Sequence, residues 1–232
     1  MDAGISKRDL VARLAAIDEQ YESLDAILVT HEHSDHVSGL VAIGRQLNGP
    51  IYITRLTAPA IPWGEYSPKL DCFQAGATFT VGDIEVDSFT IPHDAIDPVG
   101  FAFRAEGVKV GIATDLGRMS ANVRDTLRGC DVLVIESNHD IEKLRIGPYP
   151  WSVKQRVGSP TGHLSNERLA EFFSTDYDGS ASYIVLAHLS EQNNDPELAR
   201  RAAEKALGPR QTLLHNRVLL ATQSEPMEAI RL

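Results

Sequence analysis

The chain has 232 residues, of which 43% are hydrophobic and 23% are charged, and this is enough to bury the core of one globular domain. The net charge of −10 argues against a generally basic coat for nucleic acids, although it leaves room for a local basic patch. No apolar stretch reaches the length of a membrane span. We therefore expect a single domain over residues 1–232 and no membrane partner.

The cysteines and the first residues of the chain bear on its compartment. Cys72 and Cys130 are the only two cysteines, which indicates reduced thiols rather than a disulfide scaffold. Residues 1–6 lack the basic start and the apolar core of a signal peptide. These features predict a cytoplasmic protein.

Apolar periodicity predicts helices and strands that alternate along the chain. A first helix over residues 7–19, with Ser6 as its cap, precedes a buried strand at 24–30. Further strands are predicted at 51–53, 72–73, 78–81, 84–91, 99–105, 108–114, 132–136 and 183–188, and further helices at 36–47, 120–128, 151–157, 165–173 and 196–207. Residues 211–220 are predicted to be extended. The pattern is typical of sheets flanked by helices in an α+β layered domain.

Four side chains of metal-ligand type lie within six residues, directly after the predicted strand 24–30. The segment reads His31-Glu32-His33-Ser34-Asp35-His36. Side chains two residues apart on an extended segment point the same way, so we expect His31 and His33 to hold one cation. The following turn then directs Asp35 and His36 toward a second. Imidazole and carboxylate groups suit Zn, Fe and Mn, and this density of ligands predicts a metal site.

Three further candidate ligands each follow the end of a predicted strand, namely His93, Asp115 and His188. Taken singly, each has a structural explanation, because Asp115 could form a turn or cap and the two histidines could be packing residues. Ligands of a two-metal centre are expected at strand ends and in the loops beyond them. The repeated placement therefore favours ligand roles for all three residues.

The segment 31–36 resembles the H-x-H-x-D-H signature of the metallo-β-lactamase superfamily. The segments 136–140, 147–150, 162–166 and 188–194 are similar to its YycJ/WalJ-like subgroup, and the resemblance runs from residue 2 to about residue 207. It implies an αββα sandwich that holds two divalent metal ions, which are Zn, Mn or Fe. It further implies attack by a metal-bound hydroxide that Asp35 orients. The implied ligands are His31, His33 and His93 on one metal, Asp35, His36 and His188 on the other, and Asp115 between them.

A second resemblance concerns Glu136, at the end of the predicted strand 132–136, and His163 farther along the chain. The pair is similar to a glutamate and a histidine of tRNase Z-like phosphodiesterases. This resemblance implies that His163 is the general acid for the leaving oxygen and that Glu136 orients it. The alternative is that His163 merely caps the helix predicted to start near residue 165. His139 is either a substrate contact or a structural residue.

The amino-terminal segment departs from the pattern of the superfamily. Members carry two or more strands before the segment Asp2-Ala3-Gly4, which here follows Met1 directly. Either the start is misassigned or the chain is truncated. We expect a sandwich that lacks its first amino-terminal strands and exposes a sheet edge, a feature that favours self-association.

The favoured function is a metal-dependent phosphodiesterase, an exonuclease that acts on DNA. Two metals suit phosphoryl chemistry because they stabilise both the attacking and the leaving oxygen. A local excess of basic residues lies in the same stretch as His163 and could follow a nucleic-acid backbone. These residues are Lys143, Arg145, Lys154, Arg156 and Arg168. The alternatives are a small-molecule hydrolase for a thioester, lactone or lactam, and a metal-binding module without catalysis, which the complete ligand set disfavours.

Overall fold

The computed structural model describes residues 1–208 and 216–232. These residues form eight α-helices and ten β-strands, the mixture that the sequence predicts. The chain forms two compact units, one of residues 1–88, 95–99 and 229–232, the other of residues 89–94 and 100–228. The prediction of one domain over residues 1–232 stays a prediction. Of the segment predicted to be extended, residues 211–215 lie outside the described residues.

The first unit contains a small parallel sheet, a β-hairpin and three helices. The elements are α1 (Lys7–Ala15), β1 (Ile27–Leu28), α2 (Ser34–Val37), α3 (Leu40–Gly44), β2 (Ile51–Thr54), β3 (Leu70–Phe73), β4 (Thr78–Val81) and β5 (Ile84–Thr90). Strands β1, β2 and β3 pair in that order and in parallel, and β4 pairs with β5 in antiparallel fashion. The apolar core of this unit lies around Val29, Leu40 and Ile53, which are fully buried. Asp2 N–H donates to Leu28 C=O at 2.7 Å.

The helix predicted over residues 36–47 is instead two short helices, α2 and α3, that meet at Gly39. The backbone of the first residues passes very close to this point, because Gly39 N–H donates to Ala3 C=O at 2.8 Å. A Cβ atom at position 39 would collide with the carbonyl oxygens of Ala3 and Ile5. The break therefore reflects a close approach of two backbones that the local apolar period does not reveal.

The second unit is built on five strands that pair in the order β10-β9-β8-β7-β6. They are β6 (Val99–Ala105), β7 (Val108–Ala113), β8 (Val132–Glu136), β9 (Tyr183–Ala187) and β10 (Arg217–Leu220). Strands β7 to β10 run parallel, and β6 is antiparallel to β7. The helices are α4 (Ala121–Leu127), α5 (Ile141–Ile146), α6 (Trp151–Val157), α7 (Asn166–Thr175) and α8 (Pro196–Leu207).

Strand β8 is almost wholly buried, as expected for a central strand of a parallel sheet. Its neighbours β7 and β9 end level with it, because Ala113 pairs with Ile135 and Glu136 pairs with Ala187. Residues at and just beyond these ends therefore gather at one edge of the sheet. No helix in the described ranges has the length and apolar character needed to cross a bilayer.

Candidate metal centre

The first unit brings together the ligand candidates of the segment 31–36. Strand β1 leads into this segment, and His33 precedes the first turn of α2. The ring centroid of His31 lies 4.6 Å from that of His33 and 4.1 Å from that of His36. Asp35 places Oδ2 at 3.5 Å from His36 Nε2. Three imidazoles and a carboxylate thus form one group of nitrogen and oxygen donors.

Asp2 and Thr30 orient two of these histidines. Asp2 Oδ2 lies 3.0 Å from His36 Nδ1, and Asp2 Oδ1 accepts Thr30 N–H at 2.8 Å. The Thr30 hydroxyl lies 2.9 Å from His31 Nδ1. A carboxylate or hydroxyl on one ring nitrogen fixes the imidazole orientation, so that Nε2 is the nitrogen presented to a metal. Neither Asp2 nor Thr30 could be assigned from the sequence, since their contacts join residues up to 34 positions apart.

The second unit gathers the remaining candidates at the edge where β7, β8 and β9 end. Asp115 Oδ1 lies 3.5 Å from His188 Nδ1, 3.8 Å from His163 Nδ1 and 4.0 Å from His93 Nε2. Asp115, Glu136, His163 and His188 each offer a ligand atom, and these atoms all lie within 4.8 Å of one another. Side chains separated by up to 73 positions thus form a single polar group.

Glu136 contacts both histidines of that group. Its Oε1 lies 2.8 Å from Nδ1 of His163 and 2.8 Å from Nδ1 of His188. Its Oε2 accepts the backbone N–H groups of Leu116 at 2.9 Å and Leu164 at 3.1 Å. The residue has no solvent exposure. One carboxylate therefore fixes two imidazoles and two loops, and each imidazole can present only Nε2 to a metal or substrate.

These contacts shift the pKa values of Glu136 and His163. Burial alone would raise the pKa of Glu136, but the charges and hydrogen bonds of His163 and His188 outweigh it and lower that pKa. Burial likewise acts to lower the pKa of His163, and the Glu136 carboxylate outweighs it and raises that pKa. An ionised glutamate beside a protonated histidine is the pairing that general-acid catalysis uses.

Two of the candidate ligands adopt the left-handed backbone conformation, with φ of 61° at Asp115 and 55° at His188. Residues with a Cβ atom rarely adopt it, and such conformations concentrate at functional sites. Neighbouring hydrogen bonds hold both backbones. The residue after Asp115 donates its N–H to Glu136, and Asn138 Nδ2 donates to His188 C=O at 2.8 Å. Asn138 thus positions His188, and no local sequence signal indicates this contact.

The structure gives the surroundings of His163 and His139. Helix α7 is capped by Ser165, whose hydroxyl accepts Arg168 N–H, and not by His163. His139 is 2% exposed, and burial lowers its pKa to about 4. Its carbonyl accepts Asn166 N–H at 2.9 Å. The burial of His139 and its backbone link to the start of α7 favour the structural alternative.

Four of the basic side chains in the stretch 143–168 have partners within the chain, namely Arg145, Lys154, Arg156 and Arg168. Arg168 donates to the carbonyl oxygens of Gly117 at 2.7 Å and Gly158 at 3.3 Å, and so joins two loops. Arg145 pairs with Glu142 at 2.7 Å, Arg156 pairs with Asp94, and Lys154 donates to the Arg145 carbonyl at 2.8 Å. The contacts of Arg168 thus connect parts of the fold, while the other cations lie near the surface.

A cleft of about 240 Å³ lies beside His163 and His188 within the second unit. Its lining is mainly polar, with amide, hydroxyl and carboxylate side chains and one tyrosine ring. Its other lining residues are Asn138, Tyr149, Val157, Leu189, Ser190, Glu191, Gln192 and Gln223. Such a cleft offers hydrogen-bonding groups to a substrate that reaches the two histidines.

The donor chemistry of both groups fits a divalent metal. Imidazole nitrogens with carboxylate oxygens are the ligand types that Zn, Mn and Fe take in proteins. The hydrogen bonds of Asp2 to His36 and of Glu136 to His188 supply the supporting contacts that metal-bound histidines typically make. The residues therefore fit metal binding, and Asp115, which is 2% exposed, contributes a carboxylate to the group.

Comparison with known proteins agrees with this chemistry. Residues 1–188 match the family described as the beta-lactamase superfamily domain. The chain is 38% identical over 210 residues to exodeoxyribonuclease YycJ of Bacillus anthracis, covering 89% of this chain and 80% of that protein. It is 39% identical over 204 residues to exodeoxyribonuclease WalJ of Streptococcus pneumoniae serotype 2, covering 86% of this chain and 76% of that protein.

Among solved structures, the metallo-β-lactamase fold protein YhfI from Bacillus subtilis superimposes with a TM-score of 0.66. The two chains are 18% identical, and the match covers 90% of this chain and 79% of YhfI. The α+β fold predicted from the sequence is thereby confirmed. The chain belongs to the metallo-β-lactamase superfamily and, within it, to the YycJ/WalJ-like proteins.

Proposed function

We propose that the chain is a metal-dependent phosphodiesterase that degrades DNA as an exonuclease. The observation that carries the proposal is the buried Glu136, with Oε1 2.8 Å from Nδ1 of both His163 and His188. This contact couples a candidate metal ligand to a histidine suited to protonate a leaving oxygen. The similarity to exodeoxyribonucleases supports DNA as the substrate.

Two divalent metal ions, Zn, Mn or Fe, complete the proposed centre. When bound, such ions lower the pKa of a water molecule and neutralise the negative charge that develops on a phosphate. We assign the ligands as the family resemblance implies. They are His31, His33 and His93 for one ion, Asp35, His36 and His188 for the other, and Asp115 for both.

Side chains of the chain orient the attacking water and supply the proton for the leaving oxygen. Asp35, whose side chain is 62% exposed, accepts a hydrogen bond from the attacking water and so orients it. His163 donates Nδ1–H to Glu136, which leaves the proton on Nε2 for transfer to the leaving oxygen of the phosphodiester. Glu136 keeps that imidazole protonated until the transfer and fixes its direction, as a buried carboxylate does for a histidine in acyl transfer.

The decisive experiment is metal analysis of the purified protein, followed by cleavage assays on 5′-labelled single- and double-stranded DNA with Mn²⁺. We expect two metal equivalents and stepwise shortening of the strand. Asp115→Asn should lose metal and activity, whereas Asp125→Asn, exposed on α4, should keep both. Protein without metal would refute the metal centre. If the metal-loaded protein cleaves a thioester or lactone but cleaves neither single- nor double-stranded DNA, it is a small-molecule hydrolase instead.

We also propose a cytoplasmic location, supported by the state of the cysteines. Cys72 and Cys130 are both free thiols, as is usual in a reducing compartment. Cell fractionation with a tagged copy of the gene tests this, and recovery outside the cytoplasm would contradict it.

A further inference from the structure

The turn between α5 and α6 carries Tyr149, which lines the cleft, and leads directly into Trp151. It comprises residues 147–150, in the order Gly147-Pro148-Tyr149-Pro150, and Trp151 follows as the first residue of α6. Two prolines flank Tyr149 and restrict its backbone to extended conformations. A Cβ atom at Gly147 would collide with Asn193 Oδ1 and with the Lys143 carbonyl. The turn is therefore rigid and tightly packed against the rest of the second unit.

The two rings differ in their surroundings. Tyr149 is half-buried and lines the cleft together with His163 and His188. Trp151 is 70% exposed, although tryptophan is among the side chains that gain most from burial. The two residues are two positions apart, so their Cα atoms are at most about 7 Å apart. One aromatic side chain in the cleft lining is thus followed, two positions later, by one that is exposed to solvent.

The charge of this segment differs from that of the whole chain. Residues 141–158 carry four basic side chains and one acidic side chain, a net charge of +3, in a chain whose net charge is −10. Glu142 pairs with Arg145, and Asp94 from outside the segment pairs with Arg156, which leaves Lys143 and Lys154 outside these ion pairs. The combination of accessible aromatic rings with nearby basic side chains is typical of sites for single-stranded nucleic acid.

We propose that Tyr149 and Trp151 form a base-stacking subsite for successive nucleotides of a single DNA strand that enters the cleft. The subsite rests on the proposed nuclease function and adds to it the residues that hold the strand beyond the scissile bond. Bases in a duplex are already stacked on their neighbours, whereas an unpaired strand offers the faces of its bases to aromatic rings. The basic side chains around the turn attract the phosphates of the same strand.

Tryptophan fluorescence tests the contact without relying on catalysis. The only other tryptophan is Trp63, so the Trp63→Phe protein reports on Trp151 alone. We titrate the metal-loaded protein with a ten-nucleotide oligo(dT) of phosphorothioate linkages and, as a matched control, with an abasic strand of equal length. Stacking predicts quenching by oligo(dT) but not by the abasic strand. Equal effects of the two strands, or no effect of either, would overturn the subsite.

Kinetics of the full chain give the second readout. Trp151→Ala and Tyr149→Ala should each raise KM for single-stranded DNA roughly fivefold or more. Trp151 is not among the residues that line the cleft, so Trp151→Ala should leave hydrolysis of bis(p-nitrophenyl) phosphate unchanged. Trp151→Tyr and Tyr149→Phe retain a ring and should restore KM, which separates stacking from a folding defect. If the wild-type protein is an active nuclease and KM is unchanged in both alanine variants, the subsite is refuted while the proposed nuclease function stands.

Two further outcomes have distinct meanings. If the wild-type protein hydrolyses the chromogenic diester but no DNA, the proposed DNA substrate fails together with the subsite. If Trp151→Ala converts a dimer to a monomer in light scattering and leaves KM for DNA unchanged, the surface at Trp151 is a contact between copies of this chain, and the stacking proposal is wrong.

Discussion

The Nδ1 atom of His163 lies 2.8 Å from Oε1 of the fully buried Glu136. Burial of an ionised carboxylate is costly unless hydrogen bonds and opposite charge compensate it. Four groups lie within hydrogen-bond distance of the Glu136 carboxylate, namely two imidazoles and two backbone N–H groups. The contact thus accounts for an ionised glutamate in a fully buried position, and it sets the direction of the His163 ring.

Replacement of Glu136 by glutamine tests this role. Glutamine has a similar size but no charge, and it can accept hydrogen bonds through only one of its two terminal atoms. We expect a roughly 10- to 100-fold loss of metal affinity or activity, the usual effect of removing a carboxylate that supports a metal-bound histidine. Competition with a fluorescent chelator measures the affinity. Glu142→Gln, on the exposed face of α5, is the matched control, and equal behaviour of the two variants would contradict the role.

Replacement of His163 by alanine separates general-acid catalysis from a structural role. Without the imidazole, cleavage that expels a sugar alkoxide should slow by roughly 10²- to 10⁴-fold. Cleavage of bis(p-nitrophenyl) phosphate should change little, because nitrophenolate leaves without a proton. Rates on both substrates and the metal content of the variant are measured together. A similar loss on both substrates would show that His163 does not donate the proton.

Asp2→Asn tests the support of His36. The change removes the charge of a carboxylate that accepts from Thr30 N–H and faces His36 Nδ1. We expect metal affinity to fall by roughly 10- to 100-fold. Isothermal titration of the metal-free protein measures this. Asp9→Asn, exposed on α1, should match the wild type, and an unaltered affinity of Asp2→Asn would exclude the supporting role.

The sequence was sufficient to predict the residue types of the site and most of the elements that carry them. The segment 31–36 follows β1, Asp115 follows β7 and His188 follows β9. These placements are local properties, because an apolar run that ends in a ligand-type residue is visible within about ten positions. That is why His31 and its neighbours were identifiable as candidates without coordinates.

What the sequence could not provide depends on contacts between distant segments. The role of Asp2 arises from hydrogen bonds to residues 28 and 34 positions away. The six-residue helix α5 was not predicted because it is too short for an apolar period to be visible, although Asp140 caps its start and Gly147 ends it. Arg168 resembled a phosphate contact on charge alone, and only the structure shows its carbonyl partners.

Arg168→Ala tests whether Arg168 stabilises the fold or binds DNA. The guanidinium donates to the carbonyls of Gly117 and Gly158, and its loss leaves both without this charged donor. We expect the free energy of unfolding to fall by about 1.5–3 kcal/mol, as measured by urea denaturation. The salt dependence of DNA binding should stay unchanged. Arg145→Ala, at an exposed ion pair, should cost no more than about 1 kcal/mol. Weaker DNA binding at unchanged stability would identify Arg168 as a phosphate contact.

Asp178 gives a pH-dependent contribution to stability away from the metal ligands. Partial burial acts to raise its pKa, but the backbone N–H groups of Gly129 at 2.8 Å and Ser180 at 3.1 Å outweigh burial and lower it below the usual 3.8. A carboxyl group whose pKa is lower in the folded state stabilises the fold above the unfolded pKa. That contribution is lost as the pH falls through the folded pKa.

Asp178→Asn should therefore lower the free energy of unfolding at pH 7 by at most about 1 kcal/mol, since solvent screens an exposed carboxylate. The difference from the wild type should shrink as the pH falls below about 3.8, where protonation removes the charge from the wild-type carboxyl as well. Urea denaturation at pH 7 and near pH 3 measures both values. Asp125→Asn, exposed on α4, should show a smaller change at either pH. A deficit for Asp178→Asn that is equally large at both pH values would mean that the carboxylate charge is not what holds the turn at Gly129.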